Sequence, residues 1–134
     1  MRELDFGTSC TVVTDIVVKT SFGVVRGAVM FSRYDMTDPE AAEYLKAALA
    51  ALEKHPAADM SKVAVAGYCQ TGRHPLVLAA EAPVQAAVVW YGAASKREWP
   101  ATPAQPKPLD EIIAALPCPV FAAFGSDDHI ISLD

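Results

Sequence analysis

Three short apolar runs, each closed by a glycine and separated from the next by a helix-like stretch, constrain this chain more than any other feature. They are MSKVAVAG (Met60 to Gly67), VQAAVVWYG (Val84 to Gly92) and CPVFAAFG (Cys118 to Gly125). Short runs of β-branched and small apolar residues bounded by turn formers read as strands. A helical segment from Pro75 to Glu81 lies between the first two runs, and PLDEIIAAL lies between the second and third. Strands joined through helices are parallel, because the crossover must carry the chain back to its starting edge. The runs are continuously apolar rather than alternating, so they predict strands buried on both faces by helices.

Upstream, CTVVTDIVVKT (Cys10 to Thr20) and VVRGAVMF (Val24 to Phe31) are β-branched runs separated by Ser21, Phe22 and Gly23, which predicts an N-terminal strand pair. TDPEAAEYLKAALAALEKH then carries a strong helix start. Thr37 and Glu40 have capping-box spacing, and Pro39 sits where a missing N–H does no harm. Ala41, Leu45, Ala48, Leu49 and Leu52 share one face of that helix. Lys96 to Pro108, rich in proline and polar residues, reads as a surface loop. The expected architecture is α/β: a mostly parallel sheet flanked by helices, within one domain spanning residues 1–134.

Composition narrows the function classes. The formal net charge of −5, with Lys and Arg scattered, argues against nucleic-acid binding. No apolar run approaches the roughly 20 residues that span a bilayer, and the opening MRELDFG lacks the apolar core of a secretory signal. Cys10, Cys69 and Cys118 are odd in number and lack CxxC spacing, which disfavours a disulfide framework and a zinc site. These features predict a cytoplasmic protein without membrane, nucleic-acid or metal partners.

In open α/β sheets ligands bind beyond the carboxyl ends of the strands. Cys69, Gly92 and Asp128 follow three successive ends. Gly67 before Cys69 suits the sharp turn on which a nucleophile stands between strand and helix. After Cys69 the usual small position is taken by Thr71, with Gly72 one residue late. A helix starting there would aim its first N–H groups at the sulfur, and the backbone N–H of Gln70 would serve as half of an oxyanion hole. A small buried cysteine that happens to follow a strand is the competing reading. Asp128, after the last apolar run, stands where a triad carboxylate belongs; a solvated acid pair with Asp127 is the alternative.

KVAVAGYCQTGRHPL, VVWYGAA and PCPVFAAFGSDDHIIS, in this order, resemble the dienelactone hydrolases of the α/β-hydrolase superfamily from about Arg33 onward. The resemblance implies a partial α/β-hydrolase-like sheet with Cys69 as nucleophile and Asp128 as triad acid. It implies hydrolysis of a carboxylic ester or cyclic enol-lactone through a Cys-bound acyl intermediate, with no cofactor. The family's triad histidine lies some tens of residues beyond the acid, whereas this chain ends at Asp134, six residues past Asp128. The family's first strand, oxyanion loop and acidic partner of the cysteine do not map onto the first residues either, so the chain is expected to be a hydrolase core truncated at both ends.

His74 and His129 are the candidate substitute bases, and His55, at the end of the long helix, reads as a partner of its dipole. Arg73 could pair with a substrate carboxylate, since the family's lactone is an acid; Arg33 reads as a solvated charge. Tyr68, Trp90 and Tyr91 are candidate walls of a substrate pocket, with aromatic core packing the alternative for Trp90 and Tyr91, and Trp99 is a lid or a packing anchor. Cys118 reads as structural, and nothing around Cys10 suggests reactivity. Truncated sheets leave unpaired edges, so a homo-oligomer is expected, with a second chain able to contribute a missing group. The alternative to a hydrolase is a catalytically inactive α/β remnant that assembles with itself or with a partner.

Overall fold

A computed structural model describes residues 11–20, 23–32, 36–93, 96 and 99–129. Among these residues five strands and three α-helices follow in the order β1 (Thr11–Thr20), β2 (Gly23–Ser32), α1 (Asp38–Glu53), β3 (Val63–Tyr68), α2 (Arg73–Ala79), β4 (Ala86–Trp90), α3 (Leu109–Ala114) and β5 (Val120–Ala123). They form one sheet of order β2-β1-β3-β4-β5. β1 pairs antiparallel with β2 from Thr11↔Ser32 to Thr20↔Gly23, and antiparallel with β3 from Thr14↔Gly67 to Val18↔Val63. β3, β4 and β5 are mutually parallel, with Tyr68↔Trp90↔Ala123 as the last register row. The N-terminal strand pair and the parallel part of the sheet are therefore as the sequence predicts. Gly23, read as part of the turn, belongs to β2.

The start of α1 follows its sequence closely. Thr37 is the N-cap, its side chain accepting from the Glu40 N–H, while the Glu40 carboxylate accepts from the Thr37 N–H at 2.8 Å. That exchange satisfies two otherwise orphaned donors, and Pro39 in the first turn removes a third. Ala41, Leu45 and Leu49 are buried, with Ala48 and Leu52 packed at the margin.

All three helices feed one hydrophobic cluster. Leu45 and Leu49 of α1, Leu76 and Leu78 of α2, and Leu109 and Ile112 of α3 meet Val63, Val65, Ala87 and Val89 of the sheet. Those strand residues alternate in sequence, so they share one face. On the opposite face Ala66 is buried, Ala64, Tyr68, Ala86 and Val88 are half-buried, and Trp90 and Phe121 are exposed. This corrects the expectation of strands buried on both faces: the described helices cover one face only, and β5 is largely exposed along its length. The continuous apolar runs are explained by small alanines and by aromatic residues on the second face.

Candidate active site

The turn after β3 is built around an unusual backbone. Cys69 has φ 51°, in the left-handed region that side chains rarely occupy. The chain passes from strand into a 3-10 turn over Cys69–Gly72 and only then into α2, so the helix does not begin at the cysteine as its sequence suggests. Thr71 closes the turn: its hydroxyl accepts from the Tyr68 N–H at 2.9 Å and donates to the Tyr68 carbonyl at 2.8 Å. The result leaves Cys69 exposed and unbridged, standing proud of a buried framework.

Three glycines make this geometry possible. A Cβ on Gly67 would run into the Thr71 carbonyl oxygen and lie 2.7 Å from Cδ of Pro75. A Cβ on Gly72 would lie 2.7 Å from the Gly92 Cα. A Cβ on Gly92 would collide with the Cys69 carbonyl oxygen and lie 2.9 Å from the Gly72 Cα. Gly72, one residue late for a simple elbow, is thus the residue that lets the loop after β4 press against the turn after β3. Its signal in the sequence is its pairing with Gly92, twenty residues away and legible only once β3 and β4 are neighbours.

Cys69, Gly92 and Asp128 all follow the carboxyl ends of adjacent parallel strands, so the structure brings these elements to one edge. Asp128 is half-buried, and its N–H bonds the Gly125 carbonyl at 3.3 Å to close the turn. With β4 between them, the axes of β3 and β5 lie about 10 Å apart. Gln70, whose N–H is the expected oxyanion donor, is exposed in the same 3-10 turn. Tyr68 and Tyr91 sit at the same edge with ring centroids 6.5 Å apart. Trp90, expected at the end of a buried strand, is exposed on the uncovered face and makes an edge-on contact with Phe121 at 5.6 Å.

Arg73 requires correction as a substrate-binding residue. Its side chain is 2% exposed and grips the Asp38 carboxylate, with Nε at 2.8 and 3.0 Å from the two oxygens and Nη2 at 2.8 Å. Nη2 also donates to the Lys107 carbonyl at 2.7 Å. The guanidinium thus ties the start of α1 and the loop before α3 to α2, and a substrate carboxylate would have to displace Asp38. Asp38 escaped the sequence reading because a residue beside an N-cap looks like a solvated first-turn acid.

The histidines separate by environment. Burial, with the Arg73 charge adding to it, lowers the His74 pKa to about 4, so the ring is neutral near pH 7. His129 is exposed. His55 lies beyond the end of α1, and its Nδ1 accepts from the Ala57 N–H at 3.2 Å, so the imidazole caps the following turn rather than the helix. Cys118 is partly buried at the entry to β5, and burial pushes its thiol pKa up, which suits a packing role. Trp99 borders an apolar groove of about 380 Å³ with Ile113, Val120 and Ala122. Arg33 and Cys10 lie outside the described residues. Among the described residues no group of three His, Cys, Asp or Glu is placed to hold a metal, and no helix is long and apolar enough to cross a membrane.

No curated protein and no solved structure matches the chain. The family model described as Dienelactone hydrolase family matches residues 23–134, ten residues earlier than the motifs alone delimit, and so takes in all of β2 along with the elbow and the Asp128 loop. A strand-to-helix elbow bearing cysteine, an acid after a later parallel strand and this match converge: the chain belongs to the dienelactone hydrolase family.

Proposed function

We propose that this chain performs acyl transfer from a small carboxylic ester or enol-lactone, with Cys69 as nucleophile. Family membership supports a hydrolase function in general terms. The observation that carries the finer reading is the left-handed backbone of an exposed, non-glycine Cys69 wedged by three glycines. Strain of this kind persists only where the surroundings over-determine it, and it concentrates at functional sites.

In this reading the Cys69 thiolate attacks the carbonyl carbon, and the carbonyl π pair moves onto oxygen, facing the Gln70 N–H. Collapse breaks the C–O bond, the leaving oxygen takes a proton, and the acyl group stays on sulfur as a thioester. In a lactone the leaving oxygen remains tethered to the acyl chain. Water then attacks the thioester, giving the acid and restoring the thiol. Asp128 would orient the imidazole that accepts and returns these protons, across the gap left by β4. Protonating a ring whose pKa lies near 4 instead of 6.5 costs about 3 kcal/mol more than in water, which counts against His74. His129, or an imidazole from a second copy, is the source that remains in this reading. Tyr68 and Tyr91 would flank the acyl group. A reducing, cytoplasmic setting fits a nucleophilic thiol.

The exposed Trp90–Phe121 pair favours a second reading, in which the chain is a self-assembling or partner-binding domain without turnover. One experiment separates the two. Wild type and Cys69→Ala are given 4-nitrophenyl acetate and then a dienelactone, with intact mass recorded alongside. Sustained turnover that vanishes in the variant supports the hydrolase. A single stalled acylation, or none, supports the assembly domain.

A further inference from the structure

Every described non-glycine residue with positive φ sits at one edge of the sheet: Cys69 at 51°, Tyr91 at 41° and Ala93 at 60°. Tyr91 and Ala93 flank Gly92, and Gly92 is the residue whose side chain, if it had one, would occupy the place of the Cys69 carbonyl oxygen. The strained turn after β4 therefore bears on one particular peptide group, the one linking Cys69 to Gln70. That peptide is trans, as are all those described. In a planar trans peptide the C=O and the N–H point in opposite directions. With the Cys69 carbonyl lodged against Gly92, the Gln70 N–H must point away from the β4 turn. Tyr91 is itself anchored, its N–H donating to the Ala123 carbonyl of β5 at 2.7 Å.

We propose that the Tyr91–Gly92–Ala93 turn is a positioning element that sets the direction of the Gln70 N–H by backing the Cys69 carbonyl. This rests on the reading of Cys69 as an acyl-accepting nucleophile. Gly92 and Ala93 touch no substrate in this arrangement; they act through the peptide behind which they pack. Tyr91 combines that backbone role with a side chain at the mouth of the site. A glycine at position 91 or 93 would hold the same φ without strain but would not resist its relaxation.

The test compares two reactions of the same sulfur. Attack on 4-nitrophenyl acetate forms the C–S bond, puts negative charge on the carbonyl oxygen and then expels 4-nitrophenolate, so it needs the oxyanion donor. Alkylation by iodoacetamide forms a C–S bond at saturated carbon and expels iodide, with no charge developing on a carbonyl oxygen. In Gly92→Ala the added methyl must push the Cys69–Gln70 peptide out of place. The rate of Cys69 acylation, followed by intact mass and phenolate release, should then fall about 100-fold, the order expected for losing one oxyanion donor. Alkylation should stay within about threefold, since exposure and thiolate supply are preserved. Ala93→Gly guards against misfolding: relief of its positive φ offsets the loss of one buried methyl, so its melting temperature should stay within a few degrees of wild type, with acylation down several-fold and alkylation unchanged.

Acylation and alkylation falling together in folded Gly92→Ala would overturn the proposal, because the turn would then serve only the fold. Wild-type acylation rates in a folded Ala93→Gly would overturn it as well, as would Gly92→Ala that unfolds beside an unaltered Ala93→Gly. Wild-type Cys69 that alkylates but never acylates would instead remove the nucleophile on which the proposal rests.

Discussion

Lowering the pH from 7.5 to 4.5 should weaken this fold through the His74 imidazole. The ring is mostly buried, and the loss of hydration, reinforced by the Arg73 charge beside it, lowers its pKa to about 4. In the unfolded chain the same ring titrates near 6.5. Between those values the unfolded state holds a proton that the folded state does not. Stability from this group is therefore complete above about pH 6.5 and is lost as pH falls toward 4. At pH 4.5 the loss amounts to about 2–3 kcal/mol, a sizeable part of the 5–15 kcal/mol typical of a domain. The assay is urea unfolding of wild type and His74→Gln at half-unit pH steps. Glutamine cannot titrate, and other ionisable groups cancel in the comparison. The stability difference should move by about 2–3 kcal/mol in the variant's favour across this range, equivalent to roughly 1–2 M in urea midpoint. A difference that stays constant with pH would refute the reasoning, because the ring would not then be buried as the neutral form. A difference that moves toward wild type would show a protonated His74 held by a carboxylate in the folded state.

Four further substitutions probe the framework under the site. Gly67→Ala should cost about 1–3 kcal/mol by urea unfolding, since its methyl meets the Thr71 carbonyl and Pro75; unchanged stability would mean that the elbow has room to relax. Arg73→Met should cost about 3–5 kcal/mol by leaving the Asp38 carboxylate buried without its partner. Adding Asp38→Asn to Arg73→Met should recover part of that loss, and simple additivity of the two would argue against the pair. Thr37→Ala should cost about 1 kcal/mol, a few degrees in melting temperature, through loss of the capping box.

What could be read from sequence was what local chemistry decides. Thr37, Pro39 and Glu40 mark the start of α1 because capping is settled within four residues. The order of β3, α2, β4, α3 and β5 was legible from composition and glycine placement, and with it the edge where Cys69 and Asp128 lie. The use of the second face of the sheet was not legible. An apolar strand looks the same whether a helix covers that face or Trp90 and Phe121 stand exposed on it. Arg73 was misread for a related reason. A guanidinium near an elbow suggests an anion site, and only the packing of α1 against α2 reveals that Asp38, thirty-five residues earlier, already fills it.

The three left-handed residues at the carboxyl edge each carry a conformational cost of order 1–3 kcal/mol. A chain under no other demand would place glycine at positions 69, 91 and 93. It places glycine at 67, 72 and 92 instead, where there is no space for a side chain, and keeps side chains where the backbone alone would exclude them. Steric need therefore explains the glycines, and it does not explain Cys69, Tyr91 or Ala93. The surroundings can hold these residues because α2 is fixed from behind, by the buried Arg73–Asp38 pair and by Leu76 and Leu78 in the core. A rigid floor with strain confined to its rim is what a reactive thiol on a sharp turn requires. It also makes the retained side chain at position 69, more than its exposure, the feature that a purely structural account of the turn leaves unexplained.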